Sequence, residues 1–131
     1  MDLSGFRKLE LVGGEPFMSI TDHATAFNQN AVVKLGSPET VCLLFNYETK
    51  QLAVQPSNKN DTSSISFMKP GRDPARGVRF NSKDLQNSLA KQMDWDLERY
   101  IYRITGEFVE ENNVMIFDLK TATKSLKRSR K

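Results

Sequence analysis

Residues 41–56, VCLLFNYETKQLAVQP, set two apolar runs around the polar turn YETK, and Pro56 closes the second run. Short apolar runs bounded by turn formers read as an antiparallel hairpin. Val41 to Phe45 is apolar without a break, which predicts a strand covered on both faces. A second stretch has the same form. Residues 99–120, RYIYRITGEFVEENNVMIFDLK, place apolar runs around the turn EENN.

A short helix is expected just before each hairpin. In QNAVVKLG (29–36), Val32 and Leu35 fall on one face, and Gly36 stops the turn. Asn28 is placed to cap it, since its side chain can accept from the free amides of the first turn. In SKDLQNSLAKQM (82–93), Leu85, Leu89 and Met93 recur at helical spacing, with Asn81 as the expected cap. Upstream of the first helix lie two strand-like segments, FMSI (17–20) and HATAF (23–27). Upstream of the second lie SISFM (64–68) and GVRF (77–80), joined by the loop KPGRDPAR. The polar, turn-rich SNKNDTSS (57–64) separates the two series.

The expected fold class is therefore α+β and β-rich, with two pattern-repeated β-β-α-β-β halves forming a compact barrel-like domain. Residues 1–16 form an N-terminal segment, 17–119 a single domain with halves 17–56 and 64–119, and 120–131 a solvated basic tail. The expected core is Ile20, Phe27, Val32, Leu35, Leu43, Phe45, Val54, Phe80, Leu85, Leu89, Ile101, Ile104, Ile116 and Leu119.

Phe27, Leu35-Gly36, Val41 to Phe45 and Leu52 to Pro56 follow a pattern of two strands, a short helix ending in Leu-Gly, a turn, and a hairpin closing on Pro. This first half resembles the swapped-hairpin module of AbrB-like transition-state regulators and antitoxins over roughly forty residues. The second half is similar in element order. The resemblance implies two modules interleaving their hairpins as an internal pseudo-dimer, and DNA binding through basic residues near the first loops. His23-Ala24 stand where the family commonly has Gly-Arg, and Asn28-Gln29 where it has a Pro. The chain is also loosely similar to small proteins of bacterial genomes and mobile elements.

At 131 residues and 38% apolar content the chain can bury a core without staples. Its one cysteine, Cys42, excludes an internal disulfide and fits a reducing compartment. No apolar run near the start is long enough for a signal peptide or a membrane span, so a cytoplasmic protein is expected, with no membrane partner.

Enzymatic chemistry is not expected. His23 is the single histidine and has no ligand set or acid–base partner beyond Asp22. Cys42, in an apolar run, reads as a small hydrophobe without a neighbouring base. Asp94, Asp96 and Glu98 flank Trp95 at a helix exit and read as solvated turn carboxylates. Gly13-Gly14 lacks the lysine and hydroxyl of a phosphate loop. No metal and no cofactor is expected.

The net charge of +3 is unevenly spread. Residues 1–61 hold five basic and seven acidic side chains, and 62–131 hold fourteen and nine. The excess sits in the loop (Lys69, Arg72, Arg76, Arg79) and the tail (Lys124, Lys127, Arg128, Arg130, Lys131). Guanidinium groups grip phosphates and read guanine edges. No aromatics interleave with the loop, which favours duplex contact over a single-strand stacking platform. The expected function is a non-enzymatic nucleic-acid-binding or regulatory protein, monomeric or homodimeric, that docks on duplex phosphates through these loop and tail residues. The alternative is a protein-interaction module, such as a mobile-element protein that inhibits a bacterial host factor.

Overall fold

A computed structural model describes residues 2–5, 14–58, 60–69, 71 and 73–127. The first part of the chain forms β1 (Phe17–Ile20), β2 (Thr25–Phe27), α1 (Gln29–Lys34), β3 (Thr40–Asn46) and β4 (Gln51–Pro56). The second forms β5 (Ile65–Ser66), a 3-10 turn at Pro74–Arg76, β6 (Val78–Phe80), α2 (Lys83–Met93), β7 (Tyr100–Val109), β8 (Val114–Asp118) and β9 (Thr123–Leu126). The protein is β-rich α+β, a curled, half-barrel antiparallel sheet with two helices.

The strands pair in the order β5-β3-β4-β8-β7-β1-β2-β6, and β9 also pairs with β7. Both expected hairpins form, β3 with β4 and β7 with β8. Other pairings join distant parts of the chain: β1 with β7, β2 with β6, β3 with β5 and β4 with β8.

β7 is long enough to serve both ends of the sheet. Its first residues pair with β1 and β9, and its last four, Gly106 to Val109, with β8. Gly106 marks the changeover, its N–H donating to Pro16 O at 2.8 Å. A Cβ there would lie 2.7 Å from Phe117 Cε1 and 2.9 Å from Met115 Sδ, so any larger residue would have to displace these core side chains.

Phe27 is the hub of the core. Its ring lies 5.4 Å from Phe67, 5.9 Å from Phe80 and 5.6 Å from Phe117, centroid to centroid, drawing β2, β6, β8 and the segment after β5 together. Such tilted and edge-on pairs add about 0.5–1.5 kcal/mol each beyond the area they bury. α2 lays Leu89 into the core, with Leu85 and Met93 packed beside it, as its stripe predicts.

Several expectations are corrected. Ile101 and Ile116 are only half buried and stand outside the core, while their neighbours Tyr102, Met115 and Phe117 are buried. In an unbroken apolar run either parity fits the sequence, and the cross-strand register decides which face goes inward. α2 is capped by Ser82, whose Oγ accepts from Leu85 N at 3.2 Å, rather than by Asn81. The 120–131 stretch is not a solvated tail where it is described. Residues 123–126 add a strand to β7, and Lys127 N donates to Arg99 O at 2.9 Å. An edge strand is held by its backbone ladder, so β9 needs no apolar period of its own.

Candidate nucleic-acid interface

The register of β6, β2, β1, β7 and β9 sets side chains in straight rows. Two rows face inward: Val78, Phe27, Met18 and Ile104, and then Phe80, Thr25, Ile20 and Tyr102. Between them, facing outward, runs Arg79, Ala26, Ser19, Arg103 and Thr123. The next outward positions are Phe17 opposite Thr105, and Ile101 opposite Ser125. Alternation along each strand explains the division. Val78 is buried and Phe80 packed against the core, so Arg79 between them is exposed, as its place in GVRF predicts.

Small and hydroxyl side chains fill the centre of this face, with an arginine at each side. β1, β2, β6, β9 and the Tyr100–Thr105 part of β7 contain no acidic residue. Arg103 is held rather than loose, its guanidinium carbon 3.4 Å from the centroid of the Phe17 ring. That stacking satisfies the flat face of the cation and leaves its N–H edges to donate outward. Arg103 and Thr105 line an open cleft of about 400 Å³ beside the start of α1. Among the described residues, Glu15 is the one acidic side chain lining it.

Asn28 builds the wall of that cleft. Its Oδ1 accepts from Ala31 N at 3.0 Å, capping α1 as expected, and from Phe17 N at 2.9 Å, while Nδ2 donates to Glu15 O at 3.0 Å. Its polar atoms are thus committed to the chain itself, and its role is to fix β1 against α1.

The basic loop leads into β6, the strand that carries Arg79. Asp73 Oδ1 accepts from Ala75 N at 3.0 Å and starts the 3-10 turn that ends at the exposed Arg76. This turn packs on α1. Gly77 has φ 67°, and a Cβ on it would stand 2.4 Å from Phe27 O, so only glycine lets the loop enter β6 this close to β2. Lys69 is exposed at the other end of the loop. Arg72 lies outside the described residues.

The tail lysines do not join the row. Lys124 is opposite Tyr102, in an inward row, and its ammonium rests 4.5 Å from the centroid of the Tyr100 ring. Lys127 Nζ lies 2.8 Å from Asp22 Oδ1 and fastens the end of β9 to the β1–β2 turn. The hydrogen bond from Lys127 is the main cause holding the Asp22 carboxyl below its ordinary value of 3.8, partly offset by desolvation. Arg128, Arg130 and Lys131 lie outside the described residues. Arg103 is the residue that reading the sequence missed. Its signal is in YIYRIT, where alternation with Tyr102 and Ile104 turns it outward, but the row appears only once β1 is laid beside β7.

The other candidates stay apart from this face. His23 is 77% exposed, with Nε2 3.5 Å from Asp22 Oδ1. Cys42 is half buried and its thiol donates to Asp61 Oδ2 at 3.5 Å, so it is not the buried hydrophobe its apolar run implies. Asp96 Oδ1 accepts from the backbone N–H groups of Glu98 and Arg99, which makes it a turn carboxylate. Among the described residues no group of three His, Cys, Asp or Glu side chains could hold a metal ion, and no helix is long and apolar enough to cross a membrane. The chain matches no protein-family model, no curated protein and no solved structure.

Proposed function

We propose that this is a non-enzymatic nucleic-acid-binding or regulatory protein that docks duplex phosphates on the outward row between Arg79 and Arg103, with the basic residues of the loop before β6 adding to its attraction for phosphate. The observation that carries the reading is the row itself: two exposed arginines on one acid-free stretch of sheet. They stand three strand spacings apart, about 14 Å at the backbone. That is close to the major-groove width of about 12 Å, so two long side chains could meet phosphates on both sides of a groove.

Strand pairing supports an AbrB-like reading with two interleaved halves. Exchanging β1–β4 for β5–β8 turns each pairing along the path into another pairing of the same path, with one exception. β1 pairs with β2, whereas their counterparts β5 and β6 stand at opposite ends of it. Interleaved modules fused in one chain would leave this pattern.

The test is a titration of random and selected duplexes at two salt concentrations. Phosphate docking predicts affinity falling steeply with salt, and Arg79→Ala and Arg103→Ala each lowering the salt slope by about one unit. No duplex binding at low salt, or an unchanged slope in both variants, would remove the reading.

A further inference from the structure

We propose that the edge of β3 is a strand-addition site for a single extended peptide segment of a partner protein, one with apolar residues at alternate positions and a carboxylate beside them. β5 covers β3 only at Thr40 and Val41, and among the described residues nothing pairs with Cys42 to Asn46 on that side. Ser57 N donates to Thr40 O across the hairpin, so Thr40, Cys42, Leu44 and Asn46 turn their backbone groups to β4. The N–H and C=O of Leu43 and Phe45 therefore face the open edge. Natural edges carry lysine, proline or a bulge against unwanted pairing, and Cys42 to Asn46 has neither charge nor proline.

A groove of about 410 Å³ runs along this edge between β3 and α2. Leu43, Phe45, Leu85 and Leu89 make it apolar, and Ser88 and Lys91 stand on the helix side. Lys50 does not compete for an incoming carboxylate, because its ammonium donates to Gln92 Oε1 at 2.9 Å. Among the described residues Lys91 is thus the charged side chain lining the groove, and it calls for an acid in the occupant.

The shape selects the occupant. A helix would leave the amides and carbonyls of Leu43 and Phe45 unmet, while an extended chain satisfies them and drops alternate side chains into the groove. A second copy of β3 would bring its own β4 behind it, while α2 already forms the other wall of the groove.

The probe is a display library of random linear decapeptides panned on the full chain, with enriched peptides then synthesised. Enriched sequences should alternate apolar residues around an acid, and methylating alternate backbone nitrogens should abolish binding. Ser88→Arg fills the groove from an exposed position and should weaken binding about tenfold or more. Lys91→Glu, also exposed, should exchange the selected acid for a base. Circular dichroism and thermal melting serve as folding controls for both variants. No enrichment over bare support, or peptides that bind Ser88→Arg as well as the parent, would overturn the site. A doubled mass in light scattering that Ser88→Arg returns to monomer would overturn the peptide as occupant in favour of a second copy.

Discussion

The two ends of the curled sheet turn very different rows to solvent. Across β6, β2, β1, β7 and β9 the outward row is Arg79, Ala26, Ser19, Arg103 and Thr123. Across β3, β4, β8 and β7 it is Leu44, Ala53, Ile116 and Glu107. β7 contributes to both, with Arg103 and Glu107 on the same side of one strand. A net charge of +3 says little about such a molecule. What matters is that Arg79 and Arg103 sit on strand segments without an acidic residue, while Leu44 and Tyr47 are exposed at an end whose turns carry Glu48, Glu110 and Glu111.

The comparison breaks most severely if the two ends are uncoupled. Phe117 is fully buried against Phe27, so Phe117→Ala should cost about 3–5 kcal/mol, read as a lower denaturation midpoint. A small loss would mean that the ends do not share one core. Gly106→Ala tests the joint in β7 more gently. Its added methyl meets Phe117 and Met115, and overpacking of this kind costs about 1–3 kcal/mol. An unchanged melting temperature would contradict the close approach.

Removing residues 121–131 acts on the arginine end alone. It deletes the β9 ladder and the Lys127–Asp22 contact, and should lower stability by about 1–2 kcal/mol. Unchanged stability would return this stretch to a solvated tail. The smallest effect concerns acid. Because the Asp22 carboxyl is held below its ordinary value in the fold, its contribution is present above about pH 4 and is lost as pH falls through the lowered value. The pair is part exposed, so less than about 1 kcal/mol is at stake. Asp22→Asn should flatten the decline in midpoint between pH 6 and pH 3; an identical decline would assign it to other carboxylates.

Local signals made much of the architecture legible. Asn28 caps α1, Gly36 takes φ 84° where the helix stops, and the leucine stripe of α2 faces the core. The candidate site was half legible, since alternation exposes Arg79 but nothing near Arg103 links the two. Their row depends on β1 lying between β2 and β7, a pairing across more than eighty residues of chain. β9 was hidden for a different reason. TKSL has no apolar period, and its place is set by hydrogen bonds that any backbone can make.

The central claim is that position on the sheet, and not total charge, governs nucleic-acid binding. It is tested most directly by removing two charges from either end and titrating the same duplex at two salt concentrations by fluorescence anisotropy. One variant is Arg79→Ala with Arg103→Ala; the other is Lys91→Ala with Lys120→Ala, at exposed positions on α2 and just after β8. Both lower the net charge equally. The account predicts that the arginine pair loses about tenfold or more in affinity and about two units of salt slope, while the lysine pair binds as the parent does. Equal losses in the two variants, or no loss in the arginine pair, would contradict it.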